Sequence, residues 1–433
     1  MFLQWSAPRA MQAFQVLRVG AILLTSVLLA KTGLSTSAIG VYEVMLYVGA
    51  TLSFFWVNGL LQGIPPVHAL CADDAEQERL LTLAFGVFNA LSLVVTGGLF
   101  LFSAWLVPAL TGLAELPFLG WFCLFLGFNL PAFVAEYVYL LRGQATRLVY
   151  WGLLSFGAQV LAVIAPVMAG YGLEGGLMAL AGLAFVRWLW TLTLVFPKRG
   201  FMPWDAALLH RYLSFSSPLV LNVVTGNLVL LFDNWLVGYY YQSEAVFAVF
   251  RYGSRELPLA TALATGLSVA MVGRLAAQPA QGMAELRVRG QRLMHAVFPP
   301  TLVLLFVSEQ LFPLVFNPGF AESATLFNIY LLLTASRVLL PNVVVMALGR
   351  PGIILGVGLL ELTAKVLLGW FFLQAWGLTG LAWSAVVAYF VEKIGLICWL
   401  EWRGIRTGTW LNIPVYAAYA GALALAYAIS LLW

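Results

Sequence analysis

The chain has 433 residues, of which 62% are hydrophobic and only 9% are charged, and its formal net charge is +4. Soluble domains carry about 25% charged residues, so this composition excludes an ordinary soluble protein and predicts a polytopic helical membrane protein. The small net charge does not indicate nucleic acid binding, and the three cysteines and three histidines are too scattered for a zinc or disulfide pattern. No signal-peptide pattern opens the sequence, so the first hydrophobic stretch is expected to be a retained membrane span.

Thirteen membrane spans are predicted by cutting the hydrophobic stretches at charged or turn-rich breaks. The first six cover residues 12–34, 39–64, 80–107, 118–141, 148–169 and 172–196. The next six cover residues 212–239, 244–272, 293–316, 320–348, 352–375 and 377–399, and a last one covers 411–432. The connections between them are too short to contain a soluble domain.

The basic residues of the predicted loops fall almost entirely on one side of the membrane. With a cytoplasmic N-terminus, fourteen arginines and lysines lie on the inner side, whereas the outer loops carry only Lys31 among basic residues. Cytoplasmic loops are enriched in lysine and arginine. The distribution therefore predicts a cytoplasmic N-terminus and, with thirteen spans, an outer C-terminus.

A basic connection, residues 197–211 (PKRGFMPWDAALLHR), divides six spans from the next six. It predicts an N-terminal lobe of residues 1–196, a C-terminal lobe of residues 212–400 and an additional segment of residues 401–433. Trp204, Ala207, Leu208 and Tyr212 fall close to one helical face, so the connection is expected to be an amphipathic cytoplasmic linker on the inner surface. Residues 39–52 and 244–257 are faintly similar without gaps, which suggests lobes related by an axis along the membrane normal.

Two arginines lie inside the apolar stretch of residues 244–272. Because Arg251 and Arg255 are four residues apart, a continuous helix would place them on one face. An unpaired charge at membrane depth costs several kcal/mol, which favours a wet cavity or an anion as their surroundings. The alternative is that they pair with Glu256 or with a carboxylate of another helix. Pro258 predicts a break in this span, because proline has no N–H to donate.

Five further basic residues fall inside predicted spans of the two lobes: Arg18, Arg187, Arg337, Lys365 and Lys393. Arg337, near mid-membrane, is either a cavity cation or the partner of a carboxylate. Lys365 follows Glu361 by four residues, a spacing that favours an intrahelical ion pair, although such a pair can also be a gate or a proton site.

Three of these basic residues have a simpler explanation. Arg18 is close enough to the inner surface for its side chain to reach the headgroups. Arg187, in a tryptophan-rich stretch, and Lys393, beside Glu392, are expected to be anchors of the same kind.

Acidic residues also occur inside the spans. Asp233, which precedes Asn234 near the end of span seven, can receive a cation, cap the turn or pair with a basic residue. Glu43, Glu136 and Glu256 are candidates for ion pairs or a protonation site. Residues 239–241, three tyrosines at one turn, are more typical of an interfacial belt than of a sugar site. No P-loop or other catalytic arrangement occurs, so the protein is expected not to be an enzyme.

Residues 232–259 (FDNWLVGYYYQSEAVFAVFRYGSRELPL) resemble the central segment of the O-antigen and polysaccharide flippases. These belong to the multidrug/oligosaccharidyl-lipid/polysaccharide superfamily and have a MATE-like fold. The Asp-led end of helix seven, the short Gly-Tyr turn, the 6+6 layout and the early Arg18 carry the resemblance, whereas a thirteenth span departs from it. The resemblance implies two six-helix lobes around a central cavity that opens alternately to either side.

The resemblance further implies an undecaprenyl-pyrophosphate-linked oligosaccharide as the cargo, moved across a bacterial inner membrane. Such a cargo carries a negatively charged pyrophosphate and therefore needs positive charge in the cavity. Arginine suits this task, because its guanidinium fork binds two phosphate oxygens at once. The candidates are Arg251, Arg255, Arg337, Arg18 and Lys365, with Asp233, Glu361, Glu256 and Glu136 as coupling or gating groups. No cofactor is implied. Transport is expected to be coupled to a proton or sodium gradient. Membrane lipids and polysaccharide assembly proteins are the implied partners.

Three rival functions predict other features. A multidrug or cation antiporter of the same fold would have a cavity dominated by carboxylates. A membrane glycosyltransferase or polymerase would need a large outer loop with catalytic residues. A passive scaffold of an envelope-assembly complex would not need arginines at membrane depth.

Overall fold

The computed structural model describes residues 5–196 and 205–432, and all regular structure in these ranges is helical. Ten helices of the described residues are long and apolar enough to cross a membrane. Two of the ten, Ala145–Val195 and Pro351–Trp402, have 51 and 52 residues and each contains two of the predicted spans. The residues that separate these spans, Gly170 and Gly377, have positive φ angles of 90° and 62° inside a helical run, which glycine adopts without strain. The predicted all-helical polytopic class is confirmed.

Two compact units divide the chain between Ala248 and Val249. The first unit contains α1 Ala7–Ala30, α2 Thr36–Ala69, α3 Asp74–Leu101, α4 Ser103–Thr111, α5 Leu119–Ala132, α6 Val134–Leu141, α7 Ala145–Pro166, α8 Gly172–Val195 and α9 Ala206–Tyr241. Its main packing partners are α2 with α9, α5 with α8, α1 with α7 and α3 with α5.

The second unit begins within α10 Glu244–Gly253. It continues with α11 Pro258–Ala277, α12 Pro279–Val315, α13 Ala321–Leu331, α14 Leu333–Arg337, α15 Pro341–Ala347, α16 Pro351–Trp402 and α17 Ile413–Ser430. α12 packs against α11, α13 and α17, and α16 packs against α13 and α15. The predicted thirteenth span is therefore a helix of this unit. The lobe boundaries at residues 196, 212 and 400 stay predictions.

Part of the predicted linker lies outside the described residues, namely 197–204 with Trp204. The remainder begins α9 without a break. Asp205 caps this helix by accepting a hydrogen bond from the Leu208 backbone N–H at 2.9 Å. That bond and the neighbouring Arg79 hold the pKa of Asp205 below its usual value. Tyr212 is fully buried and donates its hydroxyl hydrogen to the Leu60 carbonyl, so this end of α9 is anchored inside the first unit.

The start of α3 is joined by ion pairs to two neighbouring helices. Arg142 pairs with Glu78, Arg211 with Glu76 at 3.1 Å and Arg79 with Asp205 at 3.2 Å. All six residues are part-exposed or exposed charges near helix ends. Solvent-screened pairs of this kind each contribute little stability, but together they fix the ends of α6 and α9 against α3.

A proline interrupts the α5–α6 span in the middle of the first unit. Pro131 has no N–H, so the carbonyl of Gly127 lacks its usual helical donor. Ser92 of α3 donates instead, with its Oγ 3.0 Å from the Gly127 carbonyl oxygen and 3.3 Å from that of Leu126. A neighbouring helix thus satisfies the freed backbone group, as the membrane interior requires. The break also positions α6 and its first-turn Glu136.

Candidate functional site

Arg18 of α1 forms an ion pair with Glu136 of α6, and the two side chains are 23% and 3% exposed. The guanidinium carbon lies 5.2 Å from the ring centres of both Phe14 and Phe133. A cation over aromatic faces is stabilised by their quadrupoles. Arg18 therefore points into the helix bundle of the first unit, and its interpretation as a residue that reaches to the headgroups is wrong.

Arg187 of α8 is also buried, with 6% of its side chain exposed. Its guanidinium donates to the backbone carbonyl of Ser155, to Gln159 Oε1 at 3.1 Å and to Asn129 Oδ1 at 3.3 Å. The prediction of a surface anchor is wrong for this residue. Two amides inside apolar spans, Asn129 and Gln159, were the available signal that it has internal partners.

Arg18, Glu136 and Arg187 line one small cavity, together with Asn129, Ser155 and several aromatic rings. We refer to Arg18, Asn129, Glu136, Ser155, Gln159 and Arg187 as the arginine cluster of the first unit. It contains two guanidiniums and one carboxylate, so its formal charge is positive by one. Five helices, α1 and α5 to α8, bring these residues together. The cluster can therefore balance one negative charge held inside the helix bundle.

The predicted face of Arg251 and Arg255 does not exist in the structure. α10 ends at Gly253, and α11 begins at Pro258. Leu257 has the extended conformation, with φ −65° and ψ 109°, because a residue before proline is disfavoured in the helical region. Arg251 is in the last turn of α10, whereas Arg255 lies in the break with its guanidinium carbon 4.8 Å from the Tyr252 ring centre. The predicted break near Pro258 is confirmed, and the continuous helix is wrong.

Arg337 has a carboxylate partner in the second unit. Its Nε is 2.7 Å from Glu256 Oε2, and one terminal nitrogen is 2.6 Å from Glu256 Oε1. The guanidinium carbon also lies 4.3 Å from the ring centre of Tyr389. The fork of Arg337 is thus occupied by both oxygens of one carboxylate. Of the two interpretations of Arg337, the structure favours the ion pair.

Lys365 is fully buried in the first arm of α16. Its ammonium donates to Ser384 Oγ at 2.9 Å and to the Leu381 carbonyl at 3.4 Å, both beyond the kink at Gly377. Lys365 therefore joins the two arms of this long helix. Glu361, one turn earlier, is 9% exposed, which keeps it a candidate for protonation.

Lys393 is buried as well, with its ammonium 2.7 Å from Glu392 Oε2 and 8% of its side chain exposed. The prediction that it reaches to the headgroups is therefore wrong. Two of the charged groups of the second unit, Arg337 and Lys393, are thus held in pairs with one carboxylate each.

The remaining acidic candidates are buried in the first unit. Asp233 and Asn234 of α9 are each 7% exposed, and Glu43 of α2 is 1% exposed and accepts from Ser26 Oγ at 3.2 Å. Among the described residues no group of three histidines, cysteines or carboxylates could hold a metal ion. The tyrosines of the turn are half exposed, with Tyr239 stacked on Trp235 at 5.3 Å.

No protein family model and no curated protein sequence matches the chain. Solved structures do match its fold. The lipid II flippase MurJ in its inward closed conformation gives a TM-score of 0.70 at 13% identity, covering 97% of this chain and 92% of that one. An inward-facing multidrug resistance MATE transporter of the MOP superfamily gives 0.62 at 16% identity, covering 90% and 94%.

A third solved structure, a MOP superfamily transporter from Pyrococcus furiosus, gives a TM-score of 0.54 at 16% identity and covers 91% of this chain and 93% of that one. Its description reports a binding pocket of reverse polarity that suggests a different function. These neighbours are transporters and flippases and not enzymes. At such identities the likeness establishes the fold, and it confirms the predicted MATE-like architecture.

Proposed function

We propose that this protein is a secondary, non-enzymatic flippase for an undecaprenyl-pyrophosphate-linked oligosaccharide. It would act by alternating access in a bacterial inner membrane, with its N-terminus in the cytoplasm. The observation that carries the proposal is the arginine cluster of the first unit, in which Arg18 pairs with Glu136 and Arg187 lines the same small cavity.

The charge of this cluster is the physical argument for an anionic cargo. A guanidinium inside a membrane-spanning bundle is costly unless it is paired, and Glu136 balances only one of the two. The partners of Arg187 are neutral oxygens, which orient the guanidinium without cancelling its charge. The cavity at the cluster holds only about 20 Å³ in this conformation, so a pyrophosphate would reach the two guanidiniums only after the surrounding helices move apart. There it would supply the missing negative charge and accept paired hydrogen bonds from a planar fork.

The fold supports a flippase, since one of the similar structures is that of MurJ, a flippase for lipid II, which is itself a lipid-linked molecule. The alternative is a multidrug or cation antiporter, which the MATE neighbour exemplifies. The buried carboxylates Asp233, Glu43 and Glu361 favour that alternative. Glu256 does not, because both of its oxygens are occupied by Arg337. We place the antiporter second because the arginine cluster has an excess positive charge, which suits an anionic cargo better than a cation.

The test is a flipping assay in proteoliposomes with a lipid-pyrophosphate-linked sugar. We compare the intact protein with Arg187→Gln, which keeps a hydrogen-bonding amide and removes the charge. The matched control is Arg147→Gln, which removes an exposed arginine at the start of α7 that donates to the side chain of Gln144. Size-exclusion elution and thermal unfolding establish that each variant folds.

Loss of flipping in Arg187→Gln but not in Arg147→Gln would support the proposal. Undiminished flipping in Arg187→Gln would show that Arg187 has a structural role. The charge of the arginine cluster would then no longer support an anionic cargo. Transport of an organic cation by the intact protein, with no movement of the lipid, would establish the antiporter instead.

The coupling step belongs to the same proposal. We assign it to a proton or sodium gradient or the membrane potential, with Asp233, Glu136 and Glu361 as the groups that respond. Flipping rates under a pH gradient, a sodium gradient and a potential, imposed one at a time, identify the driving force. Polysaccharide assembly proteins are the proposed partners.

A further inference from the structure

The first unit contains a second cavity that the proposed transport does not use. It is a groove of about 910 Å³, within the usual range for small-molecule and cofactor sites. Its walls come from α3, α5 and α8, through residues that include Leu93, Gly97, Phe100, Leu124, Gly127 and Phe128. The arginine cluster is not part of it. We refer to this cavity as the α3–α8 groove.

The groove is apolar along its walls and lies open at the surface of the chain. Leu93, Phe100 and Leu124 are 73%, 58% and 47% exposed. The three helices are of membrane-spanning length or belong to such spans, and large apolar side chains on their exposed faces are what contact with hydrocarbon requires. The backbone leaves room as well: a Cβ added at Gly97 would meet nothing within 4 Å, and one at Gly127 would meet only Thr96 at 3.8 Å or more.

One end of the groove is polar and acidic. Glu174, in the first turn of α8, lines it and accepts a hydrogen bond from Trp121 Nε1 at 3.4 Å. This contact positions a carboxylate at the mouth of an apolar channel. A tryptophan with its N–H toward the polar side is typical of the membrane interface.

At its other end the groove is lined by Asn89 of α3 and Trp188 of α8. Trp188 Nε1 donates to Asn89 Oδ1 at 2.8 Å, and the Trp188 ring lies 6.4 Å from that of Phe85. These contacts join α3 to α8. Glu174 and Trp188 are separated by fourteen residues of one helix, or about 21 Å. That length corresponds to about half of a bilayer with its headgroups.

The length of the α3–α8 groove and the carboxylate at its mouth distinguish between a helix of another protein and a lipid as its occupant. A membrane-spanning helix of another protein would continue past Trp188, where the lining of the groove ends. A lipid acyl chain, which ends in mid-membrane, fits the length of the groove. The carboxylate of Glu174 at its mouth favours a positively charged headgroup. We propose that the α3–α8 groove binds one phospholipid with a primary-amine headgroup, its acyl chain over Gly97 and Gly127 and its ammonium at Glu174. The site is independent of the transported cargo.

The test is native mass spectrometry of the detergent-purified protein with equal amounts of an ethanolamine and a glycerol phospholipid of the same acyl chains. We expect one ethanolamine phospholipid per chain, preferred about tenfold, since a charge-assisted hydrogen bond is of that strength. Gly97→Leu fills the groove and is expected to reduce retention about tenfold. Gly98→Leu is the matched control, because a Cβ there also meets nothing within 4 Å although Gly98 does not line the groove.

Glu174→Gln tests the headgroup separately, because glutamine keeps the acceptor oxygen for Trp121 but not the charge. We expect it to bind both lipids equally. Equal loss of lipid in Gly97→Leu and Gly98→Leu, or unchanged retention in both, would overturn the proposal. The proposal would also be overturned if the intact protein bound both lipids alike. It would be overturned as well if neither lipid displaced the bound molecule but an amphiphilic organic cation such as tetraphenylphosphonium did.

Discussion

Glu256 and Arg337 form a two-point ion pair in which each residue lies two to four residues before a proline that starts the next helix. Glu256 is in the break between α10 and α11, two residues before Pro258, and Arg337 ends α14, four residues before Pro341. A positive side chain at a helix C-terminus is favoured by the helix dipole. The pair therefore joins two helix interruptions of the second unit through one contact.

Removing one partner of this pair should destabilise the protein more than removing both. Glu256→Gln or Arg337→Gln leaves one largely buried charge, which costs about 3 kcal/mol, at the lower end for buried pairs because the two side chains are 17% and 27% exposed. The double variant leaves no such charge. Unfolding by sodium dodecyl sulfate from a mild detergent measures the free energies.

The control for that cycle is Arg289→Gln. Arg289 pairs with Glu285 at the surface, where side chains are 38% and 32% exposed, and Glu285 keeps Arg274 as a second partner. We expect a loss below about 1 kcal/mol. Additive losses in the double Glu256 and Arg337 variant would contradict the coupling.

The helix pattern was largely predictable from the sequence, because hydropathy and backbone-breaking residues are local signals. Gly170 and Gly377 separate spans at the predicted positions, and Pro258 interrupts its span. What the proline does to its neighbours was not predicted. Four residues before Pro258 leave the helix, and this moved Arg255 away from the face that it would share with Arg251.

The partners of the buried charges were not predictable, because they come from distant parts of the chain. Arg187 donates to residues 28 to 58 positions away, and Arg18 meets Glu136, 118 positions away. A single sequence shows that such charges need partners, but not which helices bring them together. Arg337 shows the same limit, since its pairing with Glu256 depends on two separate helix breaks.

A second prediction concerns the hydroxyl of Ser92. Ser92→Ala removes the donor that serves the Gly127 carbonyl freed by Pro131, so a buried acceptor loses its partner. We expect a destabilisation of about 1–2 kcal/mol in the same unfolding assay. Ser53→Ala is the control, because Ser53 is similarly buried but bonds only to the Gly49 carbonyl of its own helix, which keeps its backbone donor. Equal losses in the two variants would show that the proline break does not depend on Ser92.

A third prediction concerns the last helix, which was expected as an extra span and packs against α12 in the second unit. Tyr419 of α17 stacks on Phe298 with ring centres 4.9 Å apart and planes 4° from parallel, and its hydroxyl lies 2.8 Å from His295 Nδ1. Tyr419→Phe keeps the stacking and loses the hydrogen bond, so we expect a loss of at most about 1 kcal/mol. Tyr419→Ala loses both contacts and should cost about 2 kcal/mol.

Leu425→Ala supplies the control for this series, because Leu425 lies on the same helix and is 63% exposed. Its truncation removes a large side chain from α17 without removing a contact to α12 of the kind that Tyr419 makes. If Tyr419→Ala destabilises the protein no more than Leu425→Ala, then α17 adds no stability through this ring contact. A graded loss from Tyr419→Phe to Tyr419→Ala would instead show that the ring stacking, more than the hydrogen bond, holds the last helix to α12.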